Sequence, residues 1–184
     1  MKKWNLKSMN VLLTMAVGAG LTVIPVAQGW AQEKCKRSGT DLAKDTKYVQ
    51  LHMIDVGDVP GHQVRILELH RTPTNAKPNC EGLKVVESWT RGYSDYTNFN
   101  GRSWGYTIEE LESGDKIFSQ YSGTTQTTID SGGTKKTVYT GVTTLTGGTG
   151  KYRGVRGMGR NTSVFDAKAG FNENQWETEY WIEN

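Results

Sequence analysis

GGTGKYRGVRGMG, Gly147 to Gly159, sets six glycines in thirteen residues, with Lys151, Arg153 and Arg156 between them. Two chemistries favour such a run. One is a phosphate cradle, in which backbone amides face an anion. The other is a reversal in which the chain takes conformations closed to residues with a Cβ. A P-loop requires G-x-x-x-x-G-K followed by Ser or Thr at the start of a helix. Here Tyr152 follows Gly150-Lys151, and Leu145 stands where the first glycine belongs. The dinucleotide fingerprint G-x-G-x-x-G also fails, because Arg153 takes the third glycine position after Gly148 and Gly150. No helix-forming run follows to supply orphan amides or a dipole. The stretch is a turn. Gly147, Gly148, Gly150, Gly154 and Gly157 permit the reversal, and Tyr152 is expected to plug the opening it spans.

The sequence around this turn reads as strands. Segments 48–56, 62–71, 83–93, 102–112, 116–130, 135–145, 158–167 and 174–183 are rich in β-branched and aromatic residues. Turn chemistry separates them: GDVPG, NFNG, SGD, DSGG, GGTG and KAGFNE. That predicts eight strands and no amphipathic helix beyond the first thirty residues. Aliphatic residues are few, so rings must fill much of the core: Tyr48, Trp89, Tyr93, Trp104, Tyr106, Tyr121, Tyr139, Trp176, Tyr180 and Trp181. Even spacing and hairpin-length turns predict an all-β, eight-stranded antiparallel up-and-down barrel, with a β-sandwich as the alternative. Eleven threonines between Thr124 and Thr149 fit strand propensity and cross-strand pairing, without a regular repeat.

GGTGKYRGVRG resembles the glycine-rich segment shared by plant dirigent proteins and allene oxide cyclases. The likeness is sharp over residues 146–159; elsewhere it rests on strand number, length and an export signal. It implies an eight-stranded antiparallel barrel, a reactive intermediate steered within the lumen, and assembly into trimers. Fold transfers more readily than activity.

The first 31 residues read as a secretory signal peptide. Lys2, Lys3 and Lys7 precede the apolar run Val11–Ala27, and Gly29 and Ala31 mark a cleavage site after Ala31. The expected product is a single domain, residues 32–184, secreted or periplasmic, with no stable membrane insertion after signal removal. Those three lysines account for the formal charge of +3, so the remainder is neutral. Neutrality removes the electrostatic warrant for nucleic-acid binding. In an oxidising compartment Cys35 and Cys80 are expected to pair, the alternative being two free thiols. Asn161-Thr162-Ser163 fits a glycan acceptor, but the short lysine-led signal has a bacterial look.

Three strands carry ionisable and apolar side chains in one phase: Val64-Ile66-Glu68-His70, Val85-Glu87-Trp89-Arg91 and Trp104-Tyr106-Ile108-Glu110. If this phase faces the lumen, Glu68, His70, Glu87, Trp89, Arg91, Trp104 and Tyr106 form an aromatic cup for a small hydrophobic or aromatic ligand. A buried carboxylate among them suits general-acid work in a cyclase- or isomerase-like reaction. The competing reading pairs these charges with one another to close a filled structural or partner-binding barrel. One bulge would exchange the two faces. His52, Asp55, Asp58 and His62 cluster in sequence, but Asp and Gly ahead of Pro60 build turns. No metal site and no cofactor is expected.

Overall fold

The computed structural model describes residues 33–129, 131–166 and 170–183. The proposed signal peptide lies outside these residues. The compact unit Gln32–Asn184 is all-β. Its strands are β1 (Cys35–Leu42), β2 (Thr46–Asp55), β3 (His62–Arg71), β4 (Val85–Thr97), β5 (Asn100–Leu111), β6 (Lys116–Ile129), β7 (Lys135–Gly148), β8 (Val155–Asp166) and β9 (Gly170–Ile182). They form one antiparallel sheet in the order β1-β9-β8-β7-β6-β5-β4-β3-β2. A single sheet is not a sandwich. The strand count is nine rather than eight, because CKRSGTDL, the segment that forms β1, carries no strand signal of its own.

No ladder joins β1 to β2 among the described residues, so both are edges of the sheet. Their relation follows from topology. Eight antiparallel pairings separate them in the sheet order, so they run in the same direction. Only the 3-10 turn Ala43–Asp45 connects them. Two strands of one direction joined by so short a turn cannot lie side by side; they run end to end. Their junction lies near the end of β3, where Thr46 pairs with Arg71 and the Arg71 Nε stands 3.7 Å from Asp41.

The sheet is strongly curled. Arg37 on β1 forms an ion pair and a hydrogen bond with Glu109 on β5. In a flat sheet five strand spacings of about 4.8 Å would put those strands about 24 Å apart. The Tyr96 hydroxyl on β4 likewise lies 2.8 Å from Thr125 Oγ1 on β6, skipping β5.

One end is closed by an apolar cluster: Cys35, Leu111, Ile117, Leu145, Tyr152, Val155 and Tyr180. Tyr152 comes from the glycine-rich turn and is 0% exposed. It sits in the 3-10 turn Gly150–Tyr152, which no longer helix continues. Gly150 holds φ +51°, and a Cβ on Gly148 would lie 2.2 Å from the Lys116 carbonyl oxygen. Here the glycines allow a left-handed residue and a close backbone approach. The Tyr152 hydroxyl accepts from Asn79 Nδ2 (2.7 Å) and donates to Glu81 Oε2 (3.1 Å), while the Tyr180 hydroxyl donates to the same oxygen at 2.5 Å. Burial first, then the neighbouring carboxylate, pushes the Tyr152 phenol up to about 12.

The connection from β3 to β4 is laced over this end and along β1. A disulfide joins Cys35 to Cys80 with their Cα atoms 6.0 Å apart. Thr74 donates its backbone N–H to Asp45 Oδ2 (3.0 Å), and Asn75 donates to the Thr40 carbonyl (3.2 Å).

Candidate functional site

Within the curl lies a chamber of about 1440 Å³. Residues from all nine strands line it, from Arg37 on β1 to Trp176 on β9. Burial alternates cleanly where the wall is best defined: Ser88, Thr90, Gly92 and Ser94 are buried, while Arg91, Tyr93 and Asp95 between them are exposed. On β5 the inward set is Ser103, Gly105, Thr107 and Glu109. Two neighbouring strands thus turn small polar side chains inward, and the lumen is left open.

Rings lie over the glycines, from another strand at Gly92 and Gly39 and from the same strand at Gly141. A Cβ on Gly92 would fall 1.9 Å from the Tyr121 hydroxyl oxygen, and one on Gly141 would fall 2.0 Å from that of Tyr139. Trp176 covers Gly39 in the same way, with a ring carbon 2.7 Å from where a Cβ would stand. Burial raises the Tyr121 and Tyr139 phenols well above their usual range, so both remain neutral hydroxyls at any physiological pH.

Four arginines line the chamber: Arg37, Arg65, Arg71 and Arg160, the last paired with Glu177. Arg37 is matched by Glu109. Burial alone would lower its guanidinium pKa, but the Glu109 charge and hydrogen bond outweigh that and hold it above the ordinary value. Arg71 is matched by Asp41 and donates to Thr90 Oγ1 at 3.0 Å. Arg65 has no carboxylate partner among the described residues.

The ligand residues expected from sequence lie on the other face. Glu68, His70, Glu87, Trp89, Arg91, Trp104 and Tyr106 are all absent from the chamber lining. They meet one another outside it. Arg91 Nε donates to Glu68 at 2.6 Å, and its guanidinium lies 5.4 Å from the Trp89 ring centre. His70 stacks on Trp89 with ring centres 4.1 Å apart and stands 3.0 Å from Glu87 Oε2. The His70 hydrogen bond is the main cause holding the Glu87 carboxyl below its ordinary range. Tyr93 and Trp104 stack at 6.0 Å, and with Tyr106 they are exposed rather than core. The expected cup is an outward belt, because the reading equated large apolar side chains with the interior. The missed signal was the opposite one: small residues recurring in a single phase on adjacent strands.

At the β2–β3 turn, His62 lies between Asp58 (Nδ1 to Oδ1, 2.6 Å) and Asp95 (Nε2 to Oδ1, 2.8 Å), while Asp55 accepts from Gln63. Asp58 also accepts from the Val59 N–H, the local bond of a turn-building aspartate. His52 lies on β2 and takes no part in this cluster. Among the described residues no group of three or more His, Cys, Asp or Glu side chains assembles as a metal site. Asn161 of the glycan pattern is half-buried and donates to Asn174 Oδ1 at 3.1 Å.

Fold and chamber together define a class: a single-sheet antiparallel β protein wrapped around an internal space. No protein-family model matches the chain, and no curated protein matches it at a significant level. Among the described residues no helix is long and apolar enough to cross a membrane.

Proposed function

We propose that this protein is an exported β-barrel that binds a small, partly apolar organic molecule in its lumen. In this reading β1 and β2 are two halves of one bent strand, the first pairing with β9 and the second with β3, which makes the barrel eight-stranded in effect. The resemblance of GGTGKYRGVRG to the dirigent and allene oxide cyclase segment supports that shape. The disulfide is compatible with an oxidising compartment.

The observation that carries the reading is the chamber. Its volume of about 1440 Å³ exceeds the roughly 300–1,000 Å³ of an ordinary ligand pocket. A barrel serving only as scaffold has no use for such a space, since close packing of the interior would stabilise it. Rings at Tyr96, Tyr121, Tyr139 and Trp176 offer flat apolar surface, and the Ser and Thr hydroxyls between them offer polar contacts.

The test is native mass spectrometry of the protein purified from its own host, together with titration by the neutral fluorescent probe N-phenyl-1-naphthylamine. A bound small molecule or saturable probe binding is expected. Ser103→Trp, which sets an indole on the lumen wall, should weaken probe binding while the β circular-dichroism spectrum is kept. A bare mass combined with no saturable probe binding refutes the proposal.

A further inference from the structure

Resting on the lumen-binding reading, we infer that the lumen selects an organic monocarboxylate, with the acid group on Arg65 and an apolar, ring-sized body in the space beside it. Arg65 is the one inward arginine without a carboxylate. Its Nη2 donates to Gln63 Oε1 at 2.8 Å, and its Nε is buried with no partner among the described residues. A half-buried guanidinium that lacks an anion gives up part of its hydration without compensation, and a carboxylate ligand would offset that cost.

A second observation points the same way. Ser94 faces Arg65 directly across the β3–β4 ladder. It is 0% exposed, and its Oγ has no hydrogen-bond partner. Two unsatisfied donors thus stand side by side on the wall of one chamber. Buried donors in that state are exceptions among the polar groups of folded proteins. The row of residues that continues from Ser94 passes through Ser103, Gly123 and Gly141, and the Tyr139 ring packs over its two glycines as part of the chamber wall.

The ligand's body has its own surface. The Arg65 guanidinium carbon lies 5.5 Å from the Tyr96 ring centre and 4.8 Å from that of Phe99. Phe99 holds φ +64°, a left-handed conformation that an aromatic residue rarely accepts. The chain keeps a strained phenylalanine at a hairpin where glycine would fit better, and its ring lies beside the unmatched cation. The planar guanidinium fork suits a planar carboxylate. With the other three arginines already matched, Arg65 is the arginine left to receive a carboxylate.

The experiment uses N-phenyl-1-naphthylamine as reporter and a competitor pair, 1-naphthoate and methyl 1-naphthoate, which differ in charge and hardly at all in ring surface. A cavity selecting only on apolarity would favour the ester. The inference expects 1-naphthoate to displace the reporter at about 10-fold lower concentration than the ester, the scale of one charge-assisted hydrogen bond. In Arg65→Gln that preference should vanish, each competitor being referred to the variant's own reporter affinity. Arg65→Lys should keep part of the preference, and Arg91→Gln, on the outer face, all of it. If Arg65→Gln does not fold, the wild-type ranking and Arg65→Lys decide. Reporter binding with the ester preferred, or with an acid preference untouched by Arg65, overturns the inference and leaves lumen binding standing. Failure of the reporter to bind wild-type protein overturns both.

Discussion

The curl of the sheet can be tested through one ion pair. Arg37 and Glu109 lie on strands five steps apart in the sheet order, yet they touch, with side chains only 11% and 22% exposed. On an opened sheet, about 24 Å apart, two unit charges would interact by about 0.2 kcal/mol in water before salt screening, and by almost nothing after it. In contact, at an effective dielectric of about 20, the attraction is about 4 kcal/mol before desolvation is subtracted. The net coupling should fall at about 1.5–3 kcal/mol.

Arg37→Met alone strands a half-buried carboxylate, and Glu109→Gln alone strands a buried guanidinium. Each is expected to cost about 3 kcal/mol, whereas the double variant should cost less than the sum, because no uncompensated charge remains. Urea unfolding of wild type, both single variants and the double variant closes the cycle. A coupling below about 0.5 kcal/mol, the size expected of independent sites, would mean the two walls do not face each other, and the curled architecture would fall with it.

Three further outcomes follow from other parts of the structure. Replacing Cys35 and Cys80 by Ala opens a loop with a sequence separation of 45 and should lower unfolding free energy by about 4 kcal/mol on the chain-entropy estimate; a loss under about 1 kcal/mol would show that the loop stays laced without the bridge. Gly123→Ala would place a Cβ 2.3 Å from the Thr140 carbonyl oxygen and 2.6 Å from the Tyr139 ring, so a loss of about 2 kcal/mol or more is expected in the same assay, with Gly57→Ala, which meets nothing, costing about 1 kcal/mol for its positive φ. The hydrogen bond to Asp95, then that to Asp58, raises the His62 pKa, and the bond to His62 lowers that of Asp58. The histidine contribution is full below its unfolded pKa of about 6.5 and is lost as pH rises through the higher folded value; the aspartate contribution is present above about 3.9 and lost as pH falls through the lower one. The turn is therefore tied most firmly between those limits, and an NMR titration should put the His62 midpoint above that of an unstructured peptide, with Asp95→Asn bringing it down.

Several features were legible in the sequence because they are local. Strands β2 through β9 follow from β-branched and aromatic runs cut by turn dipeptides, and the turn at Gly147–Gly159 follows from failed phosphate motifs and recurring glycine. The face of each strand was not legible. Period-2 alternation says that two faces differ, but it does not say which one is inside. In a packed core the larger apolar set wins that choice. Here Trp104 and Tyr106 stand outside while Ser103, Gly105 and Thr107 stand inside. β1 was missed for a related reason. Its inward residues are Arg37, Gly39 and Asp41, whose inward placement depends on Glu109, Trp176 and Arg71, none of them near in sequence.

That inversion also explains how the molecule divides its stability. A lumen walled by serine, threonine and glycine forgoes most of the burial that ordinarily drives folding, so cohesion has to come from elsewhere. It is concentrated at the end where Tyr152, Tyr180, Leu111 and Ile117 pack beneath the disulfide-anchored loop. Arg37–Glu109 bridges β1 to β5, and Arg71–Asp41 ties β3 to the β1–β2 junction, polar contacts that leave the space unfilled. Toward the β4–β5 hairpin Tyr96 bonds Thr125 and Asn100 accepts from the Thr127 N–H, while Arg65 Nε and Ser94 Oγ stay unmatched near the strained Phe99. The site that would profit most from a ligand is therefore the least self-satisfied part of the wall, and filling that wall with aliphatic side chains would raise stability while removing the reason for the chamber.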